Sequence, residues 1–294
     1  MLNELVKITA SEETSVTLLR RYDLLRSNPP NCEVCQGDMT EVKYRKTRIW
    51  RCTKHKTVRK TLRHGSFFER SKLDLSQLLL LLHLWVFETS IKDCATLTKI
   101  DKNTIIEWYR SIRQVCSDPI ITSSYKIGGP GKIVQIDESL FGKTENNAPI
   151  QKCVFGGYCP ENDEGFLSHI PDRSSEAILS TIQNMILPGS IIHSYDRETY
   201  RGIEELPMEP PYEHFVVNDD EDFVNPFPAW IHTTDVKCFL KNVKLAFNKM
   251  AGVHSSTLSS HLNEFMWRQK YGLTPDSCIE NLFSHLSECY PITS

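Results

Sequence analysis

The chain has 294 residues, of which 40% are hydrophobic, 24% charged and 10% aromatic, and its formal net charge is −3. That composition excludes a disordered or fibrous protein and allows one large domain with one or two small ones. Met1–Ala10 lacks the basic-then-apolar layout of a secretory signal. The longest apolar run, Leu78–Phe87 broken by His83, is too short to span a bilayer, so no membrane contact and a nuclear or cytoplasmic location are expected. Ten cysteines without a secretory signal point to a reducing compartment, and hence to metal before disulfides.

The first block, residues 1–70, opens with an amphipathic helix expected over Ser15–Leu25, stopped by Asn28-Pro29-Pro30. Next come Cys32-Glu33-Val34-Cys35 and, sixteen residues later, Cys52-Thr53-Lys54-His55. Two such knuckles fit a zinc ribbon, since three thiolates and an imidazole complete a tetrahedral, structural Zn2+ site with no open position. The remaining cysteines lack this spacing and read as buried apolar residues. Between and just beyond the knuckles lie Lys43, Arg45, Lys46, Arg48, Arg51, Lys54, Lys56, Arg59, Lys60 and Arg63, with no acid among residues 43–63. This run of +10 leaves the rest of the chain at −13. Interleaved Tyr44, Ile49, Trp50 and Val58 suggest a folded basic hairpin that binds nucleic acid through its phosphates. The plainer alternative is a solvated charge run.

The second block, 71–127, is helical. Leu73, Leu75, Leu78, Leu79, Leu82 and Val86 recur at helical spacing. Ile91–Leu97, a break at Thr98–Lys102, and Ile105–Cys116 have helix-turn-helix proportions, with Lys102, Asn103 and Thr104 facing a groove and Trp108 and Ile112 facing the core. A simple packing hairpin has the same pattern. Gly128-Gly129-Pro130-Gly131 is a linker. The third block, 132–275, alternates: strands at Lys132–Ile136, Lys152–Tyr158 and Phe166–Ile170, a helix at Ser174–Ile186, strands at Ser190–Tyr195 and Phe215–Asn218, and a helix at Thr234–Met250. This order indicates a mixed α/β sheet covered by helices. Residues 276–294 are expected as a C-terminal tail.

Ile136-Asp137-Glu138-Ser139-Leu140-Phe141-Gly142-Lys143 places an acid at the end of a buried strand, where desolvation calls for a cation or donors. This segment resembles the first catalytic strand of Merlin-type transposases and related bacterial insertion-sequence transposases. The resemblance continues, in order, through Val154–Gly157, Pro188–Ser194, Tyr212–Asn218, Phe223–Pro226, His232-Thr233 with Lys244, and Asn263–Arg268. It implies a ribonuclease H-like fold, three acids holding two Mg2+ or Mn2+ ions, and cleavage and strand transfer of double-stranded DNA by a homo-oligomer. It also adds Lys244 to the DNA-contacting residues.

Against the pattern, Asp137 keeps the first acid, Tyr195 stands in place of the second with Asp196 one residue late, and Lys237 stands in place of the third with Asp235 two residues early. The family histidine after Val-Asn is Asp219. If local adjustment lets Asp137, Asp196 and Asp235 (or Glu138) gather metals, the chain is an active cut-and-paste transposase. If not, Lys237 replaces a metal ion beside Asp137, and a domesticated DNA-binding protein with impaired catalysis remains. The second outcome is expected, because fewer than three converging acids seldom hold a metal pair. A third reading is a protein-interaction or chromatin-associated module using the acidic run Asp219–Asp222.

Overall fold

The computed structural model describes residues 11–45, 47–122, 125–145, 148–170, 173–195, 198–217, 232–249 and 255–292. The chain divides into two compact units, Met1–Val115 with Tyr271–Ser294, and Cys116–Lys270.

In the first unit, helix α1 (Glu12–Arg21) starts earlier than the periodicity predicts, because the Ser11 hydroxyl accepts the Thr14 N–H at 3.2 Å. It ends before Asp23, whose φ of 55° no helix continues. Strands β1 (Met39–Tyr44), β2 (Thr47–Cys52) and β3 (Arg59–Thr61) form an antiparallel three-stranded sheet, so the basic hairpin carries an additional strand. Helices α2 (Leu75–Val86), α3 (Ile91–Thr98) and α4 (Lys102–Thr122) follow. The apolar face of α2, with Leu78, Leu79 and Leu82 buried, packs against α1, α3 and the last helix of the chain.

That last helix occupies the expected tail. Thr274 caps it and Pro275–Cys289 is helical (α8, the last in chain order). Cys278, Leu282, Phe283 and Leu286 form its buried stripe, and the Phe283 ring meets the edge of Tyr22 at 4.8 Å. Its apolar spacing gives residues 276–289 a core face that a tail would not need.

The second unit contains the mixed sheet. Strands β5 (Ile133–Glu145), β6 (Ala148–Cys159) and β7 (Glu164–Ile170) are antiparallel neighbours. A short β4 (Ile127–Gly128) pairs parallel with β8 (Ile186–Leu187) outside this sheet. Helix α5 (Ser175–Met185) then carries the chain across to β9 (Ile191–Ser194), which lies parallel to β5, and β10 (Glu213–Val216) adds beside β9. The sheet order is β10-β9-β5-β6-β7, so the first strand of the unit is central. Ile136, Phe155 and Phe166 are fully buried on one face.

The other face receives helix α6 (Thr234–Lys249), followed by α7 (Leu258–Tyr271). Close approach needs two glycines: a Cβ on Gly156 would lie 2.8 Å from Leu240 Cδ2, and one on Gly165 would lie 2.7 Å from Phe239 Cζ. Gly156 is the register partner of Asp137, so the face that admits α6 is the face that carries Asp137.

Candidate functional site

The knuckle residues come together. Gln36 N–H closes the first turn onto the Cys32 carbonyl at 2.8 Å, and Val58 N–H closes the second onto His55 at 2.8 Å. Ligand atoms of Cys32, Cys35, Cys52 and His55 all lie within 4.8 Å of one another. Cys35 Sγ is 3.6 Å from Cys52 Sγ, and His55 Nδ1 is 3.8 Å from Cys52 Sγ and 4.0 Å from Cys32 Sγ. Tetrahedral Zn–S and Zn–N bonds of the usual lengths demand ligand separations of about 3.6–3.8 Å, so the donor set fits. The Cys35 N–H directed at the Cys32 sulfur lowers that thiol's pKa to about 6, favouring the thiolate a metal needs.

The ten cations of the basic run are not equivalent. Arg48 pairs with Glu41 at 2.9 Å, a carboxylate that Arg20 also holds at 2.8 Å. Lys60 pairs with Glu33 at 3.2 Å and Arg63 with Glu12 at 3.8 Å, and both cations are only 15% exposed. Arg63 further donates to the Ser71 carbonyl at 3.1 Å. These three serve the fold of the unit. Lys43, Arg45, Arg51, Lys54, Lys56 and Arg59 pair with no acid among the described residues, and all but Arg51 are exposed. The guanidinium carbons of Arg59 and Arg45 lie 4.9 and 5.5 Å from the Tyr44 ring centroid. Lys46 lies outside the described residues.

In the second unit a cleft of about 350 Å³ is lined by Asp137, Glu138, Arg173, Tyr195, Thr199 and Tyr200. Asp137 is half-buried near the middle of β5, and its carboxylate accepts the Glu138 N–H at 2.8 Å. Burial raises the pKa of its carboxyl above the ordinary aspartate range, while the Lys237 ammonium pulls the other way. Gln135 and His193 are register partners, so strand alternation puts Tyr195 on the face of Asp137. Lys237 Nζ sits 4.8 Å from the centre of the Tyr195 ring. Tyr195 and Lys237 thus meet each other beside Asp137.

Glu138 points to other partners. Its carboxylate takes Arg173 Nε at 2.8 Å, Cys153 Sγ at 3.2 Å and the Tyr200 hydroxyl at 3.4 Å, and it is 10% exposed. Burial and this carboxylate push the Tyr200 pKa up, so Tyr200 stays a proton donor. Asp235 is held elsewhere: its carboxylate accepts Gln135 Nε2 at 2.8 Å, while Gln135 Oε1 accepts the Asp235 and Val236 N–H groups at 3.0 and 3.2 Å. Gln135 therefore caps α6, and Asp235 does not line the Asp137 cleft. Asp196 lies outside the described residues, as do Asp219–Asp222. Among the described residues, the cysteine–histidine cluster is the group whose three or more ligand atoms lie close enough for a metal, and Asp137, Glu138 and Asp235 form no such group.

A buried carboxylate with a raised pKa costs stability once ionised. The cost is absent below the unfolded-state pKa and sets in as pH rises through the folded-state value. Asp137→Asn is therefore expected to raise the melting temperature at neutral pH, with the gain shrinking in acid. Differential scanning fluorimetry across pH checks this, and a drop at neutral pH would refute it.

Sequence reasoning missed Gln135 and Arg173, whose roles depend on partners far along the chain; it marked Tyr200, five residues after Tyr195, without its bond to Glu138. It also missed Lys241, which periodicity could have found: Lys237, Lys241 and Lys244 recur at i, i+4 and i+7 on α6 and all are exposed.

No protein-family model matches the chain. The Caenorhabditis elegans Male abnormal protein mab-31 is 22% identical over an alignment of 311 residues, covering 95% of this chain and 68% of the relative. The HTLV-2 integrase catalytic core domain in complex with magnesium aligns over 47% of this chain and 84% of its own, with 13% identity and a TM-score of 0.30. The simian T-cell lymphotropic virus intasome in complex with PP2A regulatory subunit B56 gamma aligns over 66% of this chain and 69% of its own, with 10% identity and a TM-score of 0.34. Among the described residues, no helix is long and apolar enough to cross a membrane.

Proposed function

We propose that the chain is a double-stranded-DNA-binding protein built on a ribonuclease H-like, DDE-recombinase-type scaffold whose catalytic pocket is disarmed. Three antiparallel strands followed by two parallel ones, with the first strand central, support the scaffold. The observation that carries the loss of catalysis is the meeting of Lys237 with Tyr195 beside Asp137. A two-metal phosphodiester reaction needs several carboxylates converging on hard cations. Here an ammonium stands near one carboxylate, Arg173 holds a second and Gln135 a third. These described residues do not fit a Mg2+ or Mn2+ pair. Lys237, Lys241 and Lys244 instead present positive charge to a phosphate backbone.

A structural Zn2+ held by Cys32, Cys35, Cys52 and His55 would order the sheet that displays the six unpaired cations. Tyr44 between arginines adds a stacking surface. Juxtaposing two DNA ends would require a homo-oligomer.

DNA binding is tested by the salt dependence of affinity. Each phosphate neutralised contributes about 0.9 to the slope of log K against log salt. Arg45→Ala/Lys56→Ala/Arg59→Ala is expected to lower the slope by about 2–3 on that basis. Arg48→Ala, whose guanidinium Glu41 already holds, is expected to change it far less. An unchanged slope and affinity in the triple variant would reject the reading.

A further inference from the structure

The three-stranded sheet of the first unit has two unlike faces. Register pairs Glu41 with Trp50 and Trp50 with Lys60, and it pairs Val42 with Ile49 and Ile49 with Thr61. Strand alternation therefore puts Met39, Glu41, Trp50 and Cys52 on one face and Val42, Tyr44, Ile49, Arg51 and Arg59 on the other. The first face is turned inward. Met39, Trp50 and Cys52 are buried, and Arg20 of α1 reaches this face, 2.8 Å from Glu41 and 5.9 Å from the Trp50 ring centroid.

The second face is open and has a different chemistry. Val42, Tyr44 and Arg51 are half-buried, Arg59 is exposed, and Ile49 is buried between Val42 and Thr61. None of its strand residues is acidic, so its charge is that of arginines. Arg59, and Arg45 from the turn between β1 and β2, bring their guanidiniums to 4.9 and 5.5 Å from the Tyr44 ring centroid. At the hairpin end the face adjoins a cleft of about 650 Å³, to which Arg45, Thr47, Ile49 and Thr61 contribute. Of the acids in that cleft, Glu12 and Glu69 are held by Arg63 and His64, and Asp74 begins α2.

A ring and two guanidiniums around an apolar centre are more than a phosphate surface needs, since lysines suffice as point charges. Intact duplex keeps its base faces stacked inside and offers a flat sheet only sugar and phosphate. An unpaired strand offers base faces, which stack on aromatic rings and on guanidinium planes. We infer that this open face binds single-stranded DNA. One base stacks on Tyr44 and the Arg59 plane, Arg45 and Arg51 meet the flanking phosphates, and the next nucleotide enters the cleft. This rests on the DNA-binding function proposed above and deepens it, because the ribbon then distinguishes an unpaired stretch from intact duplex.

The test is fluorescence anisotropy of the full chain with an oligo(dT) of about 15 nucleotides, near the upper site size of a single-strand module, and with a duplex of the same length. Tyr44→Ala, Tyr44→Phe and Arg59→Lys are compared after a folding check by circular dichroism. Tyr44→Ala should weaken oligo(dT) binding about tenfold and duplex binding no more than about twofold, with both salt slopes kept because no charge is lost. Tyr44→Phe keeps the ring and should bind as the wild type does. Arg59→Lys keeps the charge, loses the plane and should weaken the single strand more than the duplex. If Tyr44→Ala does not fold, Arg59→Lys carries the test. Equal losses on strand and duplex, or no loss on either, overturn this inference while leaving salt-dependent DNA binding standing. Oligo(U) bound as tightly, with the same dependence on Tyr44, overturns the choice of DNA. Absence of salt-dependent binding to strand and duplex overturns both this inference and the function it rests on.

Discussion

Removal of zinc is expected to unfold the ribbon and abolish most of the DNA affinity. Apart from the cluster cysteines, the segment from Cys32 to Leu62 has few buried apolar side chains of its own: Met39, Ile49, Trp50 and Leu62. A core that small does not stabilise a three-stranded sheet alone. A structural Zn2+ contributes about 10–16 kcal/mol in comparable peptide sites, far more than such packing. The full chain purified without chelator should carry one equivalent of zinc by elemental analysis. A strong chelator, or Cys52→Ser, should release it, expose Cys32 and Cys35 to thiol reagents and flatten the salt slope. The six unpaired cations work together only while the sheet holds them, so charge without order gives weaker, less cooperative binding. Zinc-free protein that binds DNA as before would sink this account of the ribbon.

The second large effect concerns the Asp137 cleft and its proposed loss of catalysis. The wild-type chain is expected to bind no Mn2+ at Asp137 and to leave duplex DNA uncut in Mg2+ or Mn2+. Lys237 contributes a positive charge where a cation would have to enter, and Tyr195 offers a ring in place of a carboxylate. Reversing both, in Tyr195→Asp/Lys237→Glu, gathers three acids on the α6 face of the sheet. That variant is expected to gain a weak Mn2+ site that the wild-type chain lacks, since hard divalent cations take converging carboxylate oxygens. Isothermal calorimetry reads the gain, and adding Asp137→Asn should remove it. DNA cleavage by the wild-type chain that Asp137→Asn abolishes would overturn the proposed loss of catalysis and restore the active-transposase reading.

Much of the cysteine–histidine cluster was legible because it is local. Each knuckle places two ligands three residues apart in one tight turn, and the geometry that brings the two turns together is a single hairpin. The mixed sheet was legible for a related reason: a strand's alternation and a helix's 3.6-residue period are written in short windows. Strand ends were less so. β5 runs to Glu145, well past Ile136, because it continues in register with β6 where the pattern itself weakens.

The cations show the limit. Ten basic residues stand in one run, and nothing local distinguishes Arg48, Lys60 and Arg63 from the rest. Their partners Glu41, Glu33 and Glu12 come from β1, the first knuckle and α1. Asp235 was plausible as a ligand because spacing along α6 says nothing about Gln135, a hundred residues earlier, which takes its carboxylate and caps the helix.

What the sequence determined by itself is therefore everything with a short period: the knuckle spacing, the α/β alternation and the helical hairpin. What only the tertiary structure decided is which charges are already neutralised and which side chains share a cleft. Electrostatic pairing and desolvation depend on distance through space, and separation along the chain does not encode that distance.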